Sequence, residues 1–386
     1  MAKDGKTEET SEEIELEHVN TVNISVFGGS FAVKTLMYFG PYESGEESCA
    51  FDMWVDTGSS LTWVFKEEFE EYCGLFKHHL RSLGKRKRIN YQYMNTRERV
   101  SAELFEGPIK FRSENSYIEN QVFGIVDERK VPQSVRNWKR YGVMGILGLK
   151  IVKREVHFRD DPERKTPSVS YNLLHKQKPA VYEIGLDVGF TKSSSSHRWK
   201  AYGQLHFRGF KYLAERLANP PKMIAANVSK WGITQLTTMN TKIVIKGEGD
   251  MSDYSSQEYP TAGDTGSFMS FLPSDVIAGY LTRIGQGKIM FHYDRRRSLR
   301  YIMKEDAKYL KDLVLDFQGT ELVIPPDGQV VPPSLFRQWM KDNGRDLDGR
   351  LYLAFVESEG RETPFILLGM LWCKFLNTSF DTHEYP

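Results

Sequence analysis

Cysteine is scarce: only Cys49, Cys73 and Cys373 occur in 386 residues. An odd, widely spaced set argues against a disulfide framework, and no C-x-x-C pair offers a zinc corner. The three are read as buried or idle thiols. Long apolar runs are missing too. No window approaches 18 uninterrupted apolar residues, so no membrane-spanning helix is predicted. Met1 leads into AKDGKTEETSEEIELE, which lacks the apolar stretch of a signal peptide. Either the chain stays inside the cell or its leader is missing. There is no excess of one charge: 52 Lys and Arg against 51 Asp and Glu give +1. A nearly neutral chain has no general electrostatic reason to bind nucleic acid or an anionic membrane. The histidines show no metal-ligand spacing.

What is present is a globular composition. Hydrophobic residues at 40% and aromatics at 13% exclude a disordered chain. The charge is uneven, however. Residues 1–20 hold seven acids and two bases and are expected to form an acidic flexible tail. From Val22 the texture changes. VNISVFGG, FAVKTLMYFG and CAFDMWVDTG are short β-branched and aromatic runs broken by Gly and Pro, a strand-and-turn pattern. Similar runs recur as RINYQYM, NQVFGIV, GQLHFRGF, DLVLDFQGTELVIPP and RLYLAFVES. Helical spacing is confined to short pieces. EEFEEYCGLFKHHLRSLG is one, with Phe69, Tyr72, Cys73, Phe76 and Leu80 on one face and Gly84 as its stop. SVSYNLLHKQ, PSDVIAGYLTRIGQ and SLFRQWMKDN are others. The sum is mainly β with a few short helices. KRKR at 85–88 reads as a solvated loop rather than a nuclear import signal.

One repeat decides the architecture. WVDTGSSLTWVF at 54–65 is echoed by AGDTGSFMSFLP at 262–273. Both hold Asp-Thr-Gly-Ser before an apolar stretch. Asp56 and Asp264 lie about half a chain apart, which predicts two similar lobes delivering the same turn to a shared centre. In such a turn Gly58 removes the Cβ that would obstruct a second loop. Thr57 can reach the neighbouring backbone, and Ser59 can donate to the carboxylate. With Asp264, Thr265, Gly266 and Ser267 opposite, two carboxyls meet in a partly buried cleft. Like charges that close cannot both ionise, so the pair holds one proton. One member can then take a proton from water while the other hydrogen-bonds a carbonyl. That is general acid–base hydrolysis of a peptide bond.

These motifs resemble the pepsin-like aspartic peptidases, particularly the plant nepenthesin/nucellin-like branch. FDMWVDTGSSLTWVF is similar to the first catalytic motif, and INYQYMNT to the flap hairpin. GVMGILGLK resembles the stretch closing the first lobe, and FILLGMLWCKFLNTSFD the final apolar block. DLVLDFQGTELVIPPDGQVV resembles the plant-type segment late in the second lobe. The resemblance implies a bilobal pepsin-like acid protease fold with a central substrate cleft. Its lobes would span 21–180 and 181–386. Asp56 and Asp264 would be catalytic, supported by Thr57, Gly58, Ser59, Thr265, Gly266 and Ser267. Tyr93 on the flap and Trp63 would bind substrate. No metal or organic cofactor is implied. Polypeptides are the expected substrates, the chain a monomer, and its location extracellular or vacuolar if a leader is missing.

Three departures carry expectations of their own. Ala262 and Gly263 stand where bulky apolar residues are usual, which predicts a softer strand under Asp264. The flap continues as MNTRERVSAE without glycines, bringing Arg97 and Arg99 near the cleft mouth. After FD the chain ends at THEYP, short of a last strand. The alternative function is a catalytically weak or inactive homologue acting as a binding or inhibitor protein. The intact Thr-Gly-Ser after each aspartate favours the enzyme.

Overall fold

The computed structural model describes residues 20–381 apart from 28–29, 41–48, 75–79, 84–87, 93–98, 112–116, 132, 150–167, 176–182, 193–198, 208–238, 247–251, 286, 341–346, 348, 359–363 and 374–377. The described chain is mainly β. Its largest sheet has 12 strands, in which Cys49–Asp56 lies between Ser30–Phe39 and Gly145–Gly148. A second sheet of eight strands carries Tyr259–Gly263 between Met239–Ile245 and Ile366–Leu368. A third has three: His292–Asp294, Leu299–Met303 and Arg350–Tyr352.

The repeated motif corresponds to a repeated topology. Cys49–Asp56 pairs parallel with Gly145–Gly148, and Tyr259–Gly263 pairs parallel with Ile366–Leu368. The chain then turns back. Trp63 pairs antiparallel with Ile146, as Phe271 does with Leu367. Trp63–Phe65 next pairs parallel with Ile118–Val126, as Ser270–Leu272 does with Phe355–Glu357. Each aspartate therefore emerges from the centre of a buried sheet. Parallel strands need both faces covered, and these are. Val55, Met53, Leu147, Thr261, Ala262, Ile366 and Leu368 are almost entirely buried.

Several expectations change. Cys49 and Cys73 are not idle thiols but form a disulfide. Cys49 opens a strand and Cys73 follows the helix Lys66–Tyr72, and the fold brings their Cα atoms to 5.5 Å, within bridging range. Among the described residues, the helix foreseen over 67–84 covers Lys66–Tyr72, and Leu80 precedes the short strand Arg81–Ser82. Phe69 and Cys73 are buried as expected, but Tyr72 is exposed; Phe76 and Gly84 lie outside the described residues. The helices Val169–His175, Ser274–Arg283 and Pro333–Met340 agree with their sequence patterns. Thr378–Asp381, which ends at the Phe-Asp pair, pairs with Glu183–Lys192 at the edge of the largest sheet, and the expectation about the chain beyond it falls outside the described residues.

The three-stranded sheet is anchored by one carboxylate. Asp294 accepts from the Arg297 guanidinium and the Tyr352 hydroxyl, each at 2.8 Å, and from the Arg296 amide at 3.0 Å. Burial opposes its ionisation, but the hydrogen bonds from Arg297 and Tyr352, with the Arg297 charge, hold its pKa down to about 2. A depressed carboxylate stabilises the fold above its ordinary pKa, and that contribution disappears as pH falls through about 2. Asp294→Asn should cost about 1 kcal/mol at neutral pH, less than the shift alone implies because solvent at the turn screens the pair. Denaturant melts should show the deficit shrinking below about pH 4. A deficit that persists in strong acid would point to lost packing instead.

Candidate active site

Asp56 is the last residue of its strand, and Asp264 follows Gly263 at the end of the equivalent one. The two turns clasp each other. The Thr57 amide donates to Thr265 Oγ1 at 3.2 Å, and the Thr265 amide donates to Thr57 Oγ1 at 3.1 Å. Each hydroxyl then donates across to the other strand: Thr57 to the Gly263 carbonyl at 3.1 Å, Thr265 to the Val55 carbonyl at 2.8 Å. Four hydrogen bonds between segments 208 residues apart fix the turns in one arrangement. Such bonds in a buried setting are strongly determining, because breaking one leaves a dry polar group unpaired.

The carboxyls are held in matching ways. The Gly58 amide donates to Asp56 Oδ1 and the Gly266 amide to Asp264 Oδ1, both at 2.8 Å. The outer oxygens accept from hydroxyls, Asp56 Oδ2 from Ser59 and Asp264 Oδ2 from Ser267. The inner oxygens face each other. A Cβ placed on Gly266 would lie 2.8 Å from Asp56 Oδ1 and 3.0 Å from Asp264 Oδ1. The two oxygens are thus closer together than the sum of those distances. Asp56 is buried, whereas Asp264 is half-buried. The Asp56 carboxyl therefore titrates well above its ordinary range, first because burial penalises its charge and second because Asp264 repels it. The Ser59 and Gly58 hydrogen bonds oppose that rise without cancelling it. The site can accordingly hold one proton on one carboxyl and a charge beside it.

Beneath the turns lies a support that the sequence reading missed. The Gly148 amide donates to Thr62 Oγ1 at 3.2 Å, and the Gly369 amide donates to Ser270 Oγ at 3.0 Å. Thr62 and Ser270 each stand six residues after their aspartate. The available signal was the echo of Ile-Leu-Gly at 146–148 in Leu-Leu-Gly at 367–369. The strand under Asp264 is not slack. Ala262 packs against Phe365 and Leu367, and the Asp264 amide donates to the Leu368 carbonyl at 2.9 Å.

Trp63 is fully buried. It stacks on Trp138 with centroids 6.1 Å apart and meets Phe65 edge-on at 5.1 Å. Its ring belongs to the core behind the site and presents no surface to a substrate, contrary to the substrate-binding role expected of it. Tyr93 and Arg97 lie outside the described residues. The flanking strands Arg88–Gln92 and Arg99–Lys110 pair antiparallel, with Gln92 opposite Arg99.

Comparison with known proteins bears on the family and the fold. The model of the eukaryotic aspartyl protease family matches residues 37–338. The fold is similar to that of the aspartic proteinase from Irpex lacteus, with a TM-score of 0.67 over 95% of each chain at 16% identity. No curated protein sequence matches significantly.

Proposed function

The chain belongs to the eukaryotic aspartyl protease family, and we propose that it is an aspartic endopeptidase using Asp56 and Asp264. The observation that carries this reading is the clasped pair of Asp-Thr-Gly-Ser turns with facing carboxyls. Asp56, with its raised pKa, keeps the proton and donates a hydrogen bond to the scissile carbonyl. Asp264 takes a proton from the attacking water. Collapse of the tetrahedral intermediate passes a proton to the leaving amine, with no covalent bond to the enzyme. Thr57 and Thr265 hold the turns, while Ser59, Ser267, Gly58 and Gly266 orient the carboxyls. Tyr93 closes over the cleft, and Trp63 supports it from the core.

Residues 21–180 and 181–386 are read as the two lobes of a monomer. The duplicated strand arrangement supports that division, although the largest sheet also takes in Glu183–Lys192, Trp199–Phe207 and Thr378–Asp381. The nepenthesin/nucellin-like placement rests on the segment Leu313–Phe317 and Thr320–Ile324, a tight hairpin.

The test is cleavage of a denatured protein from strongly acid to neutral pH, with and without a transition-state peptide analogue. Turnover should be greatest in acid and decline as the shared proton leaves. It should also fall in very strong acid, when both carboxyls are protonated. A folded protein that binds the analogue but cleaves nothing at any pH would replace this reading with that of a binding or inhibitor protein.

A further inference from the structure

We propose that the acidic N-terminal segment, residues 1–17, docks on the basic hairpin built from His292–Asp294 and Leu299–Met303. The inference is independent of peptidase activity. Between Lys288 and Lys311 stand eight Lys and Arg against three acids, in a chain whose net charge is only +1. One of those acids, Asp294, is already committed to Arg297 and Tyr352. Arg295 and Arg296 at the hairpin turn are exposed, and neither makes an ion pair among the described residues. Arg300 lies 5.6 Å over the exposed ring of Tyr293, directly opposite it in the hairpin. Nearby, Lys288 and Lys308 both sit over the Tyr309 ring, at 5.8 and 4.9 Å. Cations gathered this closely repel one another, and a tethered anionic segment relieves that repulsion.

The complementary charge lies on the same chain. Seven of the first 20 residues are acids and two are bases. The segment joins the fold close to the hairpin. It leads into the strand Asn20–Phe27, which packs on the helix Pro333–Met340. Phe336 of that helix stacks on Tyr352 at 4.0 Å, and the Tyr352 hydroxyl bonds Asp294 at the base of the turn. Nineteen residues reach more than about 60 Å when extended, so the span is no obstacle. Single exposed ion pairs are weak, but tethering gives the segment an effective concentration of roughly millimolar.

The test is digestion of the full chain by a Glu-specific endoprotease at low salt, reading cleavage within residues 1–17 by mass spectrometry. In Arg295→Glu/Arg296→Glu the segment should be cut about fivefold faster than in the wild type. Arg295→Lys/Arg296→Lys should keep the protection. At about 1 M salt, where the Debye length is about 3 Å, the difference should vanish. As a second variant, Glu12→Gln/Glu13→Gln should raise retention on immobilised heparin only while Arg295 and Arg296 are present. Equal cleavage of the segment in wild type and charge-reversed protein at low salt overturns the proposal. If heparin still binds through Arg295 and Arg296 in that case, the hairpin serves an outside polyanion and not this segment.

Discussion

Asp56→Asn is expected to lower kcat/KM by about 10⁴-fold or more, and Asp264→Asn by a similar factor, because neither proton-transfer role survives alone. The double variant should lose little beyond either single one, as residues that act as a unit are not additive. Folding should respond in the opposite direction. Asp56 is raised above its ordinary value of 3.8 by burial and then by Asp264. A carboxyl whose folded pKa is raised contributes stability below its unfolded pKa, and that contribution is lost as pH rises through the folded pKa. Each unit of elevation corresponds to about 1.4 kcal/mol. Asp56→Asn should therefore be more stable than the wild type at neutral pH and equal to it below about pH 4. The amide fits the site, since its Oδ1 can still accept from Gly58 and Ser59 can rotate to accept from its Nδ2. Melting curves at the two pH values check this. A variant less stable than wild type at neutral pH would mean that the pair is not a repulsive one.

Much of this centre was legible in the chain, for a physical reason. A four-residue turn that must be built twice leaves two copies of the same residues, each behind an apolar strand. The supports were harder to see. Thr62 and Ser270 are ordinary hydroxyl residues, and only their common distance from an aspartate marks them. The disulfide was invisible because it depends on where a helix ends, and Cys73 falls within a pattern that reads as continuous helix. Glu183–Lys192 carries Gly185 and Gly189 within it, which weakens its strand signal. Its identity comes from the pairing of Ile184 to Lys192 with Trp199–Phe207. Trp63 was legible as a conspicuous aromatic but not as a core one, because its burial comes from Trp138, 75 residues further on.

Gly58→Ala is the more demanding test of the facing geometry, because it leaves every hydrogen-bonding group in place. The added methyl would lie 2.8 Å from Asp264 Oδ1, 3.0 Å from its Cγ and 3.2 Å from Asp56 Oδ1. Carbon and oxygen do not approach to 2.8 Å without a shift, and both carboxyls are held by amides and hydroxyls that resist one. Gly58 is not in the left-handed region, so the backbone itself tolerates alanine. The cost falls on the carboxyl pair, and a displacement of about 1 Å is worth roughly 10²-fold in rate. Gly266→Ala should behave alike, since its methyl would meet Asp56 Oδ1 at 2.8 Å. Gly74→Ala is the control: no atom lies within 4 Å of its added Cβ, and activity should be unchanged. In Gly58→Ala the loss should appear in kcat with the melting temperature nearly preserved. Wild-type kcat in that variant would show that the space between the carboxyls is not where the reaction takes place.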